Sequence, residues 1–169
     1  MKYTSAQAAK LLRKLNEERD SLLSAELRGR EFVAAVGEDP ETLRPVYDYR
    51  KTQEELDALE AKIRTVKHAI NAFNLSHEVP GFAMTVDQLL IRIPQLSAKK
   101  AKLAEMADRL PKMREPSCNR GGGNVIDYRY TNYDIAAVKA DLDAVSDLLS
   151  RAQTALDTLN NTETMEIDL

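Results

Sequence analysis

A single cysteine, Cys118, stands in a chain of 169 residues, so no disulfide can close within it. That usage fits a reducing compartment, and a cytoplasmic location is the expectation. Tryptophan is absent and aromatic residues make up only 5%, so a core has to be built mainly from Leu, Ile, Val and Ala. No apolar run approaches the ~20 residues that span a bilayer. Residues 1–6 lead straight into a charged amphipathic pattern, without the apolar stretch of a secretory leader. An excess of one charge is also missing. The 24 basic residues face 27 acidic ones, a formal net charge of -3, which argues against a dedicated nucleic-acid binder.

What the chain does have is 43% hydrophobic and 30% charged residues, a mixture that suits amphipathic helices with solvated outer faces. Its length suggests one domain spanning residues 1–169. The first helix is expected from an N-cap at Thr4 or Ser5 to about Val36, with Leu12, Leu15, Leu22, Leu23, Phe32 and Val33 mostly on one stripe. Gly37 fits a left-handed cap, and Asp39-Pro40 reads as an N-cap followed by proline at the first helical position. The regular part of helix two is placed after Pro45. There Leu56, Leu59, Ile63, Val66, Ile70 and Phe73 alternate spacings of three and four, a heptad seam that faces a partner helix.

Residues 74–84 form a connection containing Pro80-Gly81, and Thr85 with Gln88 spells a capping box. Helix three follows, with Val86, Leu89, Ile93, Leu96, Leu103 and Leu110 on its seam and a kink expected at Pro94. Residues 111–124 are not helical, and residues 125–130 read as a strand rich in β-branched and aromatic side chains. Paired with residues 112–115 across Gly121, Gly122 and Gly123, that strand makes a small β-hairpin inserted at about 111–131. A second capping box is read at residues 131–134. Helix four carries Ile135, Val138, Leu142, Val145, Leu149, Ala152, Leu156 and Leu159. The alternating tail, residues 165–169, suits an extended strand. The fold class is therefore all-α. Four long helices, each roughly 40 Å, pack antiparallel as coiled-coil hairpins or a four-helix bundle, with the β-hairpin between helices three and four.

Chemistry-bearing constellations are scarce. The imidazole and thiol ligands His68, His77 and Cys118 lack zinc spacing, and no Glu-x-x-His pair is present, so no metal or cofactor site is expected. Cys118, near Arg114 and Arg120, reads as a surface thiol. Gly121, Gly122 and Gly123 are not followed by the Lys-Ser or Lys-Thr of a phosphate-binding loop and fit a hairpin tip. No catalytic residue emerges, and an enzyme is not expected. One charge feature remains: residues 99–120 hold seven basic and three acidic side chains, next to Tyr128, Arg129 and Tyr130.

Several of these residues resemble a known family. Asn74-Leu75-Ser76, Thr85, Leu89 and Arg92 resemble the central motif of the septicolysin-like family of small bacterial proteins. Ile126-Asp127-Tyr128-Arg129 stands where that family has a short strand, Asp134 precedes a helix, and Leu156, Asp157, Leu159 and Asn160 resemble its closing segment. The likeness covers residues 50–169. It departs at Arg92-Ile93, where the family has Arg-Asp, and at Asn160-Asn161, where it has Asn-Trp. The resemblance implies a helical coiled-coil fold with a β-hairpin, and it implies little about activity.

The candidate polar or interaction residues are thus Asn74, Thr85 and Arg92 from this motif, and Arg114, Arg120 and Arg129 from the basic stretch. The function expected is a non-enzymatic, self-associating helical module, a homo-oligomer of two or more copies. Apolar residues outside the strict seams, among them Leu11, Leu23, Val36, Leu90, Ile91 and Leu148, need separate burial. The alternatives are a nucleic-acid-binding module using residues 99–130, a membrane-active protein by analogy with the family name, and an enzyme whose site, with Arg92 and Asn74, is assembled across an oligomer interface.

Overall fold

A computed structural model describes residues 1–115 and 127–169. In chain order its elements are β1 (Lys2–Thr4), α1 (Ser5–Gly29), α2 (Pro40–Leu43), α3 (Tyr49–Ser76), β2 (Glu78–Val79), β3 (Met84–Thr85), α4 (Val86–Ala107), β4 (Lys112–Arg114), β5 (Tyr128–Tyr130), α5 (Ile135–Thr162) and β6 (Thr164–Glu166). The described chain is predominantly helical. The described chain divides into two compact units: residues 1–77 with 158–169, and residues 78–157.

The first unit is an antiparallel pair of helices, α1 and α3, closed at one end by strands. Thr4 opens α1 with a complete capping box: its hydroxyl accepts from the Gln7 N–H at 3.2 Å, and the Gln7 carboxamide oxygen accepts from the Thr4 N–H at 3.0 Å. Near the end of α1, Glu26 Oε1 accepts from Gln53 Nε2 in α3 and from the Tyr47 hydroxyl, both at 2.8 Å. These bonds tie the last turns of α1 to the first turns of α3. Of the expected α3 seam, Leu56, Ile63, Val66 and Phe73 are buried, while Leu59 and Ile70 are half-buried.

The tail docks as its alternation suggests. β6 pairs antiparallel with β1, Tyr3 opposite Met165. Met165 and Ile167 point inward and are buried, while Glu166 and Asp168 stay exposed. Reciprocal backbone bonds between Met1 and Ile167, at 3.0 and 2.9 Å, extend the ladder.

Helix one does not reach Val36. It ends at Gly29, with Arg30 as C-cap. Two physical reasons are visible. A Cβ at Gly29 would sit 3.2 Å from Cβ of Tyr47, so the chain passes this point closely because glycine is there. Beyond it, Val33 and Val36 are 92% and 109% exposed, so a further helical turn would have had no apolar surface to face. Gly37 does adopt a positive φ, +97°, but in a turn and not as a helix cap. Asp39 and Pro40 start a helix as expected, though only the four residues of α2. Asp48 then caps α3 by accepting from the Lys51 N–H.

In the second unit, the connection read at 74–84 holds a β-hairpin. α3 runs on to Ser76, and Glu78 and Val79 then pair with Thr85 and Met84. Thr85 caps α4 through the expected box with Gln88. α4 continues through Pro94 to Ala107. Leu96 and Leu103 of α4 form an apolar cluster with Val138, Val145 and Leu149 of α5, the heptad seams of the two helices meeting as their spacing requires. Leu148 packs against this cluster, whereas Leu110 lies past the helix end and is exposed. β4 and β5 pair antiparallel, with Lys112 opposite Tyr130, Met113 opposite Arg129 and Arg114 opposite Tyr128. The expected capping box at 131–134 is corrected. The Thr131 N–H bonds the Pro111 carbonyl as part of the hairpin, and the side chain of Asp134 accepts from the Ala136 N–H to begin α5.

Candidate functional site

The heptad seams leave one groove on the first unit. α1 and α3 bury the narrow strip between them, but each helix keeps apolar side chains beside that strip. Leu22 and Leu59 lie half-buried at the middle of the groove, flanked by the small residues Ala25 and Ala58. The cavity measures about 550 Å³. Its rim is charged. Because the helices run antiparallel, Glu18 and Lys62 share one end, and Glu55 stands at the other. Glu18 and Glu55 each have a lysine one turn away, Lys14 at 3.7 Å and Lys51 at 3.9 Å. Lys62 forms no ion pair with the described residues. Leu23 and Leu27 of the same helix are exposed, as are Phe32, Val33, Leu43 and Val46 in the segment that follows.

The candidate polar residues are distributed over separate places. Asn74 lies in the last turn of α3, in the first unit. Thr85 and Arg92 both serve the start of α4: Thr85 as the cap, Arg92 two turns on. Arg92 lines a small cavity with Met84, Gln88 and Gln95, and its Nη1 donates to the Met84 sulfur at 3.7 Å. Arg114 and Arg129 are on opposite strands of the β4–β5 hairpin and on opposite faces. Arg120, with Cys118 and the glycine run, lies outside the described residues.

On that hairpin and at the end of α4, two basic charges are already matched. Arg129 donates to both oxygens of Glu115 at 2.7 and 2.6 Å, and Arg109 donates to Glu105 at 2.6 Å. The guanidinium of Arg129 holds the Glu115 carboxyl below the usual carboxylate range. Lys112 sits over the Tyr128 ring at 4.1 Å and within 5.4 Å of Tyr130. Within the counted stretch, Arg109 is thus paired and Lys112 lies against aromatic rings, so two of its basic side chains are engaged in the fold. Among the described residues no group of three His, Cys, Asp or Glu side chains is placed to hold a metal ion, and no helix is long and apolar enough to cross a membrane.

No protein-family model matches the chain, and no curated protein matches it in sequence. A solved structure does share its fold. The crystal structure of a functionally unknown conserved protein from Corynebacterium diphtheriae superposes with a TM-score of 0.63 at 16% identity, covering 98% of this chain and 100% of that one. The likeness extends over both units and concerns the fold alone.

The groove and the strand-to-helix hairpin at 78–85 are what sequence reasoning missed. Leu22 and Leu59 were visible as seam residues, but their half-exposure depends on how far α1 and α3 diverge from full mutual burial. The hairpin's signal was Pro80-Gly81 between Val79 and Met84, too short for strand periodicity to register.

Proposed function

We propose that the protein is a non-enzymatic interaction module that self-associates through the α1–α3 groove, two copies closing a four-helix bundle. The observation that carries this reading is the groove's composition: an apolar centre at Leu22 and Leu59 with charges of both signs on its rim. A second copy set face to face by a two-fold axis brings leucine against leucine at the centre. If the axis runs along the helices, Lys62 of each copy meets Glu18 of the other. If it runs across them, Lys62 meets Glu55. Either arrangement gives Lys62 a carboxylate partner, and an isologous contact needs this kind of self-complementarity. Heptad-patterned helices with solvated outer faces support the same reading, as closed bundles are the usual way such seams are satisfied.

Light scattering coupled to size exclusion tests it. The expected mass is a multiple of the chain's 19.0 kDa. Leu22→Asp with Leu59→Asp should give the monomer with unchanged helicity by circular dichroism. Lys62→Glu should weaken association, and adding Glu18→Lys and Glu55→Lys should restore it. A mass of one chain across a wide concentration range overturns the proposal, as does a double Asp variant that still associates.

A further inference from the structure

The cavity around Arg92 has a composition unlike the groove. It measures about 370 Å³, and Arg92 is the one charged residue on its wall. Arg92 is half-buried at the second turn of α4, and among the described residues its guanidinium has no carboxylate partner. It donates to the Met84 thioether at 3.7 Å, a weak acceptor. A guanidinium carries five donors in a planar fork that matches an oxyanion, and partial burial strengthens its interaction with one. The other polar groups agree in sign. Gln88 commits its carboxamide oxygen to the Thr85 N–H in the capping box, which leaves its NH₂ donors for the cavity. Gln95 adds a second carboxamide. The remaining wall is apolar: Ala83, Met84 and Ile91.

A backbone feature bears on the same wall. Ala83 has φ +46°, in the left-handed region that a residue with a Cβ seldom occupies. The tight β2–β3 turn holds it there, so the wall is set by the hairpin and not by a freely moving loop. Strained positions of this kind gather where a surface is shaped for a ligand.

We propose that this cavity binds a small carboxylate with a short branched apolar tail, the carboxylate on Arg92 and Gln88, and the tail against Met84 and Ile91. The cavity has room for a ligand of that size, and the cation with flanking amides selects the charged head over a neutral one. This site belongs to the second unit and is independent of the self-association proposed for the first.

The test uses the full chain and two matched probes, 4-methylpentanoate and its neutral amide, followed by ¹H–¹⁵N shift perturbation. The acid should give saturable shifts centred on Gln88, Arg92 and Gln95, and the amide should bind about tenfold or more weakly. Arg92→Gln should abolish the preference for the acid, whereas Arg92→Lys should keep part of it. The acid–amide comparison on the unaltered protein stands whatever the variants do to folding. Equal binding of acid and amide, shifts scattered over the surface, or no saturable shift up to the solubility limit overturns the proposal.

Discussion

The two ends of the α1–α3 pair are built differently from similar material. At the end where α1 begins, Ala8 and Val66 are fully buried, and Phe73 and Ile167 are 2% exposed. The β1–β6 ladder lies across this end and supplies a third layer. At the end where α1 finishes, Leu27 is 62% exposed, and Val33, Val36 and Val46 are nearly or fully open. The helices themselves have comparable patterning at both ends. What differs is whether another element of the chain covers their outer flank. Burial here is decided by what lies opposite a side chain, and the second end has apolar surface without cover among the described residues.

The largest contrast should come from placing the same charge at each end. Val66→Asp puts a carboxyl where no water reaches and no partner waits; even in its neutral form such an unbonded polar group costs on the order of 2–7 kcal/mol. Leu27→Asp puts it in solvent and should change stability by about 0.5 kcal/mol or less. Thermal unfolding followed by circular dichroism at low protein concentration reads both. Similar melting temperatures for the two variants would remove the distinction between a covered and an uncovered end.

Capping sharpens the same contrast at smaller scale. Thr4 makes the first turn of a 25-residue helix and joins it to the β1–β6 ladder. Thr4→Ala should cost roughly 0.5–2 kcal/mol. Asp39 caps the four-residue α2, whose residues are all exposed, and Asp39→Ala should leave global stability nearly unchanged. Urea unfolding of both variants checks this. A larger loss for Asp39→Ala would mean that α2 is integral to the packed unit.

Much of the architecture was legible because it follows from local rules. The Thr85–Gln88 box, the Asp39-Pro40 start, the seams at Leu56, Ile63, Leu96 and Val145, and the inward Met165 and Ile167 all obey spacing or capping chemistry within a few residues. The errors arose where a distant element decides the outcome. The stripe continues through Phe32 and Val33 and so reads as helix to Val36, yet Val33 and Val36 are exposed and Phe32 meets the Arg44 guanidinium at 5.4 Å instead of an apolar partner. Thr131 reads as part of a cap from its spacing alone, but its N–H bonds the Pro111 carbonyl as part of the hairpin. Of the candidate residues, Arg92 is placed in a cavity that the sequence did not reveal, since its wall depends on a turn at Ala83 that only the folded hairpin defines. Arg129 proved to be paired with Glu115, fourteen residues away, a match that spacing along the chain does not express.

The smallest expected effect concerns two arginine–carboxylate pairs of like geometry and unlike reach. Arg44 bonds both oxygens of Glu41, three residues away, at 3.1 and 2.7 Å. Arg129 bonds both oxygens of Glu115 across the β4–β5 ladder. In each, hydrogen bonds from the guanidinium hold the carboxyl below its ordinary range. A carboxyl whose value is lowered by folding contributes stability above its unfolded pKa and loses it as pH falls through the folded one. Acidification below the ordinary glutamate range should therefore release both pairs. Only the Glu115 pair joins two strands, so its protonation should loosen the hairpin, whereas protonation of Glu41 should loosen a single turn of the exposed α2. Carboxyl-detected NMR should place both midpoints below that of an ordinary glutamate. Amide exchange at Met113 and Arg129 should rise through the Glu115 midpoint and not through that of Glu41. A Glu115 midpoint at the ordinary value, or hairpin exchange indifferent to its titration, would show that the ion pair does not hold the strands together.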